Sequence, residues 1–216
     1  MNVMSSYYQD MDNQTATLNK HAHSIKELVP SLMAAVVLFI VCLSFGLISP
    51  PSQSSEVLAS LAETLEFISS LGPLELLVII FFNNATKTFI AMVLGIALGL
   101  PPLLFISFNG YLIGLLVSSV EPTTSPVVII ASMAPHGIIE IPVLLLSSAM
   151  GIAIGFESFK RLIKRDSTMR ILLRWCLGIF FKWFLAALLI AALIEIFITP
   201  LIIALVDGGE IPLRIN

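Results

Sequence analysis

The chain has 216 residues, of which 57% are hydrophobic and 12% charged, with a formal net charge of −3. An average soluble domain has about a quarter charged residues, and a mean hydropathy of +1.01 cannot be hidden in a soluble core of this size. Composition therefore excludes a soluble globular protein and predicts an all-α integral membrane protein. Two cysteines, Cys42 and Cys176, fit no metal or redox spacing and are interpreted as packing residues.

Residues 1–30 are predicted to form a polar cytoplasmic N-terminal tail, and residues 207–216 a short extracytoplasmic C-terminus. The membrane domain is predicted to cover 31–206. An apolar run of about 20 residues crosses the hydrocarbon core as a helix, and this domain contains five such runs. The predicted spans are 31–49, 74–100, 103–120, 127–156 and 177–206.

The connections between the spans predict the orientation of the chain. Residues 50–71 are acidic, with apolar residues at helical spacing, which predicts an amphipathic surface helix. Pro101 and Pro102 are predicted to form a short turn. The loop after the fourth span holds six of the eleven basic residues: Lys160, Arg161, Lys164, Arg165, Arg170 and Arg174. Because basic loops stay cytoplasmic, the N-terminus is predicted to lie inside and the C-terminus outside; the alternative is a docking site for anionic lipid or a cytoplasmic partner.

The fourth span contains both ionisable and helix-disrupting residues. Pro135, Gly137 and Pro142 predict a broken or kinked helix, since proline lacks a backbone N–H and crowds the preceding turn. His136 and Glu140 are four residues apart, so on a helix they share one face. Ionisable groups at membrane depth are costly, and by default they face the protein interior and mark a functional site.

Polar residues of other spans fall at a similar depth. With about 1.5 Å of rise per residue, Asn84, His136 and Glu195 lie about 15 Å from the outer surface, and Asn109 lies nearer the level of Glu140. Such groups are expected to pair with one another rather than face lipid. We predict one buried polar network, formed by Asn83, Asn84, Asn109, His136, Glu140 and Glu195. The alternative is that they only provide hydrogen bonds between helices.

Glycines four residues apart occur in three successive spans and predict close helix packing. Small residues at this spacing let helix backbones approach each other, which matters in lipid, where apolar surfaces gain little by associating. The glycines concerned are Gly95, Gly99, Gly110, Gly114, Gly151 and Gly155. The first span has no such pair and is predicted to be peripheral to a tight bundle.

The ionisable residues do not by themselves predict a catalytic or metal centre. His136 and Glu140 could share a metal, but Zn²⁺ needs three or four ligands and only Glu195 is an obvious third. No metal and no cofactor are therefore predicted. The chain lacks the common hydrolase and phosphate-binding motifs, so we expect no enzyme. Lys87 is expected to snorkel or to pair with a carboxylate, and nothing indicates nucleic-acid binding.

These elements follow one another along the chain as Asn83-Asn84, Gly95-x-x-x-Gly99, Asn109-Gly110 with Gly114, Pro135-His136-Gly137-x-x-Glu140-x-Pro142, and Gly151. In this pattern, over about residues 74–164, the chain resembles the stage II sporulation protein M family. The resemblance implies a polytopic plasma-membrane protein with about five spans. It also implies that sporulation members act as membrane scaffolds that recruit cell-wall-degrading enzymes during engulfment. The fold and the membrane location are carried over to this chain, and the sporulation role is not.

Two functions remain open from the sequence. The first is a non-enzymatic membrane scaffold or assembly factor, whose polar network fixes helix register and whose loops recruit a membrane or cell-envelope protein. The alternative is a small transporter or channel with a proton- or ion-linked site at His136 and Glu140. Many transporters contain two related repeats, and an odd number of five spans disfavours such a duplication within one chain. A homo-oligomer in the bilayer would supply the two-fold symmetry instead.

Overall fold

The structure is a computed structural model that describes residues 28–49, 71–119, 125–165 and 167–207. The predicted tail through residue 27, the predicted amphipathic helix through residue 70 and the end of the chain from residue 208 lie outside the described residues. Within the described ranges the protein is helical and contains no strand, which confirms the all-α prediction.

Five helices are long and apolar enough to cross a membrane, as predicted. The first four are α1 (Leu28–Leu47), α2 (Pro73–Val93), α3 (Leu100–Ser118) and α4 (Pro126–Leu162). The fifth, α5, consists of three α-helical segments, Met169–Ile179, Leu185–Leu193 and Thr199–Asp207, joined by the π-helical turns Phe180–Phe184 and Ile194–Ile198.

The prolines at the helix starts explain where the helices begin. Proline fits the first turn of a helix because the missing N–H has no intrahelical partner there anyway. Pro73 and Pro126 take this position in α2 and α4. Ser125 precedes α4, and its hydroxyl accepts a hydrogen bond from the backbone N–H of Val127 at 3.3 Å. Because α4 already begins at Pro126, Pro135 lies inside this helix and does not start one.

The connection between α2 and α3 differs from the predicted Pro-Pro turn. Pro101 and Pro102 lie in the first turn of α3. The chain reverses before them, in a 3₁₀ turn at Leu94–Ile96 followed by two left-handed residues, Leu98 with φ of 58° and Gly99 with φ of 76°. Glycine adopts this conformation without strain and leucine rarely does, so the reversal rests on a constrained backbone.

Helix α4 continues through both of its internal prolines. Residues Pro126–Leu162 are one helical segment, with Pro135 and Pro142 inside it. The sequence left two alternatives, a broken helix or a kinked helix. The structure does not break this helix into separate segments. The kink at these prolines stays a prediction.

Helix α4 is the central element of the molecule. In α4, 61% of the most apolar stretch is buried inside the protein, against 28% or less in each of the other four helices. One side of α4 packs with α2 and α5 in a hydrophobic core that includes Met92, Ile154 and Phe180. On the outside of the bundle, Leu74, Ile138 and Leu205 are each more than 70% exposed. Such an apolar surface is what a bilayer requires.

The connection between α2 and α3 touches α4 backbone to backbone at two glycine pairs. A Cβ atom added to Gly95 would collide with the backbone of Gly151, and one added to Gly155 would collide with the backbone of Gly99. The two G-x-x-x-G pairs of the second and fourth spans therefore face each other. Because glycine has no Cβ, these contacts allow a very close approach of the two backbones.

Helix α1 packs on α3 in the same way. A Cβ atom on Gly110 or Gly114 would meet the backbone carbonyls of Phe39 and Leu43, and Gly46 lies directly against the backbone of α3. Only 17% of the apolar stretch of α1 is buried, so the helix lies at the edge of the bundle. Its contact through Gly46 was not predicted, because a lone glycine in a membrane helix is a weak signal.

The connection between α4 and α5 is held by a buried carboxylate. Glu157 is 1% exposed. One of its oxygens accepts a hydrogen bond from Lys160 Nζ and the other from the backbone N–H of Thr168, both at 2.5 Å. Ser167 donates from Oγ to the carbonyl of Glu157 at 2.9 Å. These bonds fix where α5 begins relative to the end of α4.

Candidate functional site

A cavity of about 350 Å³ lies among α2, α3, α4 and α5. Gly137 and apolar side chains form part of its wall, and none of its lining residues belongs to α1. The polar part of the lining consists of Asn83, Asn84, Asn109, His136, Glu140 and Glu195. The structure thus brings all six residues of the predicted network to one cavity.

Three ionisable side chains form the centre of this cavity. One ligand-type atom from each of His136, Glu140 and Glu195 lies within 4.8 Å of the others. His136 and Glu140 lie one turn apart on α4, about 15 Å and about 21 Å from its N-terminal end. All three side chains are partly buried. The depth that was estimated from the sequence therefore corresponds to real proximity.

Glu195 reaches this centre from an irregular part of α5. It belongs to the π-helical turn Ile194–Ile198, where Thr199 Oγ1 also donates a hydrogen bond to the carbonyl of Ile194, five residues earlier, at 3.2 Å. A π-helical turn inserts an extra residue into the helix and rotates the following side chains, and such turns are frequent at functional sites. Hydrophobicity alone gives no signal for it.

The asparagines contribute amide groups to the wall. Asn109 donates from Nδ2 to the carbonyl of Phe105 on its own helix at 2.8 Å, which leaves its side-chain oxygen as a free acceptor within the described part of the chain. Asn83 donates to the side-chain oxygen of Asn84 at 3.4 Å. Asn83 itself is exposed and Asn84 is half-buried.

A lysine adds a positive charge near the carboxylates. Lys87 is exposed on α2, one turn beyond Asn83, and it is close enough to Glu140 to interact with it electrostatically. Within the described residues Lys87 and Glu140 form no salt bridge, so the pairing of Lys87 with a carboxylate stays a prediction.

Hydrogen bonds between the helices of the site are missing from the described part of the chain. His136, Glu140 and Glu195 make none with one another or with the asparagines, and His136 Nδ1 is buried without a partner among the described residues. An unsatisfied buried polar atom costs about 1–3 kcal/mol. The six side chains share a space, while a connected network stays a prediction.

This arrangement has a defined chemistry. Two ionised carboxylates this close repel each other strongly where the dielectric constant is low, so their charge must be offset by a proton or by a cation. An imidazole beside them can accept a proton or donate a lone pair to a cation. The site is therefore suited to binding protons or cations inside the membrane.

Five helices long and apolar enough to cross a membrane, four of them around one polar cavity, define a multi-pass helical membrane protein. The sequence model of one family, described as stage II sporulation protein M, matches residues 35–200. The chain belongs to the stage II sporulation protein M family, as its resemblance indicated.

A relative of the chain is an uncharacterized protein from the archaeon Methanocaldococcus jannaschii. The two are 32% identical over 125 residues, which cover 56% of this chain and 69% of the relative. No solved structure matches the chain.

Proposed function

We propose that the protein is a small transporter or channel in which a proton or an ion binds at His136 and Glu140. One observation carries the proposal: four helices place six polar side chains around a single cavity of about 350 Å³ at membrane depth. Ionisable residues inside the membrane are rare, and they mark ion pathways and proton relays in pumps and transporters.

The irregular backbone around the cavity supports the same proposal. Glu195 lies in a π-helical turn, and α4 carries Pro135 and Pro142 on either side of the His136–Glu140 pair. Substrate and ion sites of transporters are commonly built where membrane helices are irregular near the midplane. A helix that only anchors a protein has no need of these features.

Proton flux into liposomes tests the proposal. The purified protein is reconstituted into vesicles that contain a pH-sensitive dye, and a pH gradient is imposed with the membrane potential clamped. We expect flux that depends on the protein and is abolished by His136→Ala and by Glu140→Gln, because each change removes a group that binds the proton or ion.

Glu75→Gln is the matched control for these variants. Glu75 is an exposed carboxylate in the first turn of α2, where it accepts a hydrogen bond from the N–H of Gly72, and it lies outside the cavity. This variant should keep the wild-type flux. Vesicles of folded wild-type protein that pass neither protons nor cations at any imposed gradient would contradict the proposal.

A non-enzymatic scaffold or assembly factor is the second candidate, and the glycine contacts favour it. Gly95 lies directly against the backbone of α4, and Gly155 of α4 lies against the backbone of Gly99, so the connection between α2 and α3 is held tightly on α4. A rigid framework suits a protein that presents loops to a membrane or cell-envelope partner, or to further copies of itself. Absence of flux from well-folded protein selects this candidate.

For either function we place the protein in the cell membrane, with the N-terminus in the cytoplasm and the C-terminus outside. The support is the distribution of charge. Arg161, Lys164 and Arg165 are exposed at the end of α4, and Arg170 and Arg174 at the start of α5. Basic residues next to membrane helices are retained on the cytoplasmic side.

A further inference from the structure

The three ionisable groups of the cavity offer more than a proton-binding site. We infer that His136, Glu140 and Glu195 together bind a divalent first-row transition-metal cation such as Zn²⁺. The inference rests on the proposed function in so far as this cation is the transported or coupling ion. The site itself can be tested by binding alone, without any measurement of transport.

The geometry supplies three ligands from two helices. One ligand-type atom of each residue lies within 4.8 Å of the other two. Side-chain rotations that move these atoms by about 1 Å bring them to the 2.0–2.2 Å bonds that Zn²⁺ makes with imidazole and carboxylate. Three protein ligands leave a fourth position open for water or a substrate, as in zinc sites that exchange a ligand.

A second observation points to a ligand at the same place. His136 Nδ1 is buried and has no hydrogen-bond partner among the described residues, although a buried ring nitrogen normally has one. A metal bond to Nδ1 would satisfy this nitrogen in place of the missing hydrogen bond. The unpartnered nitrogen is thus explained by an occupied site.

The donor set selects the class of cation. Mg²⁺ and Ca²⁺ are bound by oxygen ligands, whereas an imidazole combined with carboxylates is typical of Zn²⁺ and its first-row neighbours. Glu140 and Glu195 also supply two negative charges, which a divalent cation offsets in full. The nearby amides of Asn84 and Asn109 line the same cavity and can bind waters of the cation.

Cobalt binding is the first test, because Co²⁺ replaces Zn²⁺ and gives visible absorption bands that report its ligands. The chain has three histidines, so all measurements use a His21→Ala/His23→Ala background in which His136 alone remains. Purified, chelator-treated protein in detergent should bind one Co²⁺ per chain. Zn²⁺ should displace it and should raise the melting temperature, since a ligand that binds the folded state stabilises it.

Single substitutions then identify the ligands. His136→Ala, Glu140→Gln and Glu195→Gln should each weaken Co²⁺ binding at least about tenfold, while Glu75→Gln should not change it. Glu195→Gln is nearly isosteric, and an unchanged helical circular dichroism spectrum shows that the variant is folded. Folded wild-type protein that binds no Co²⁺, or Co²⁺ binding that survives Glu195→Gln unchanged, overturns the inference.

The outcomes separate this inference from the proposed function. Proton flux without Co²⁺ or Zn²⁺ binding leaves the transporter proposal in place and rejects the metal site. Metal binding at these three residues without any flux of protons or Zn²⁺ supports the metal site and rejects transport.

Discussion

Glu157 is a single residue on which the geometry of two helices depends. Its carboxylate is buried near the end of α4 and accepts hydrogen bonds from Lys160 and from the backbone N–H of Thr168, which is the N-cap residue of α5. Lys160 is 39% exposed, so solvent weakens that ion pair and it contributes little. The bond to the backbone of Thr168, together with the one from Ser167 Oγ to the carbonyl of Glu157, ties α5 to α4.

We expect Glu157→Gln to destabilise the protein by about 1–3 kcal/mol, because one of its two buried acceptor oxygens becomes an NH2 group, which cannot accept the hydrogen bond of Thr168 or Lys160. The melting temperature in detergent should fall by about 2–4 °C for each kcal/mol. Arg161→Gln is the control, since Arg161 is exposed on the same helix turn and its loss should change the melting temperature little. Equal stability of Glu157→Gln and wild type would show that the buried carboxylate is dispensable.

The residues of the cavity were predictable because the depth of a residue in the membrane follows from counting residues along its helix. Asn84, His136 and Glu195 were placed at one level from the rise of a helix alone, and the structure brings them to one cavity. Counting cannot give rotation about the helix axis. The π-helical turn that holds Glu195 and the burial of Glu157 both depend on contacts between helices, which a single sequence does not display.

At the scale of helices, hydrophobic length predicted all five spans but not their ends. The fifth span was predicted from residue 177, whereas α5 begins at Met169. Arg170 and Arg174 interrupt the apolar run there, while Leu172 and Cys176 are buried on the other face. The first two turns of α5 are therefore amphipathic, and a search for uninterrupted apolar residues does not include them.

The glycine contact between α4 and the connection from α2 to α3 should tolerate no added methyl group. We expect Gly155→Ala to destabilise the protein by about 1–3 kcal/mol, because the new Cβ meets the backbone of Gly99, which cannot move aside as a side chain can. Thermal unfolding in detergent, followed by circular dichroism, measures the change.

Gly178→Ala is the matched control for this substitution. Gly178 is also a helical glycine, in α5, but no atom lies within 4 Å of the position of an added Cβ. Replacing glycine by alanine in an open helical position stabilises by about 0.5–1 kcal/mol, so the two variants should shift the melting temperature in opposite directions. A shift of the same sign and size in both would contradict close packing at Gly155.

In the whole molecule, α4 takes part in both hydrophobic cores and in the polar cavity. It packs against α2 and α5 in one core, and against α1 and α3 in a second core that includes Ala35, Ile106 and Ile152. The same helix carries His136 and Glu140 into the cavity. A movement of α4 along its axis would therefore alter both cores and the site together, which couples the state of the site to the packing of the entire bundle.

The orientation of the whole chain is the last quantity that its charges predict. Reporter fusions measure it. Alkaline phosphatase is active only outside the cytoplasm. Green fluorescent protein fluoresces only when it stays in the cytoplasm, because it does not become fluorescent after export in an unfolded state. With five spans and a basic loop between α4 and α5, a phosphatase fused after Asn216 should be active, and one fused after Arg165 should be inactive. Green fluorescent protein at the same two positions should give the reverse pattern.

Replacing the exposed basic residues of the loop by glutamine should weaken the preference for this orientation, because retention of Lys and Arg in the cytoplasm sets it. The residues to replace are Arg161, Lys164, Arg165, Arg170 and Arg174. Fluorescence from a fusion after Asn216 in the unaltered protein would refute the predicted orientation while leaving the five-helix fold intact.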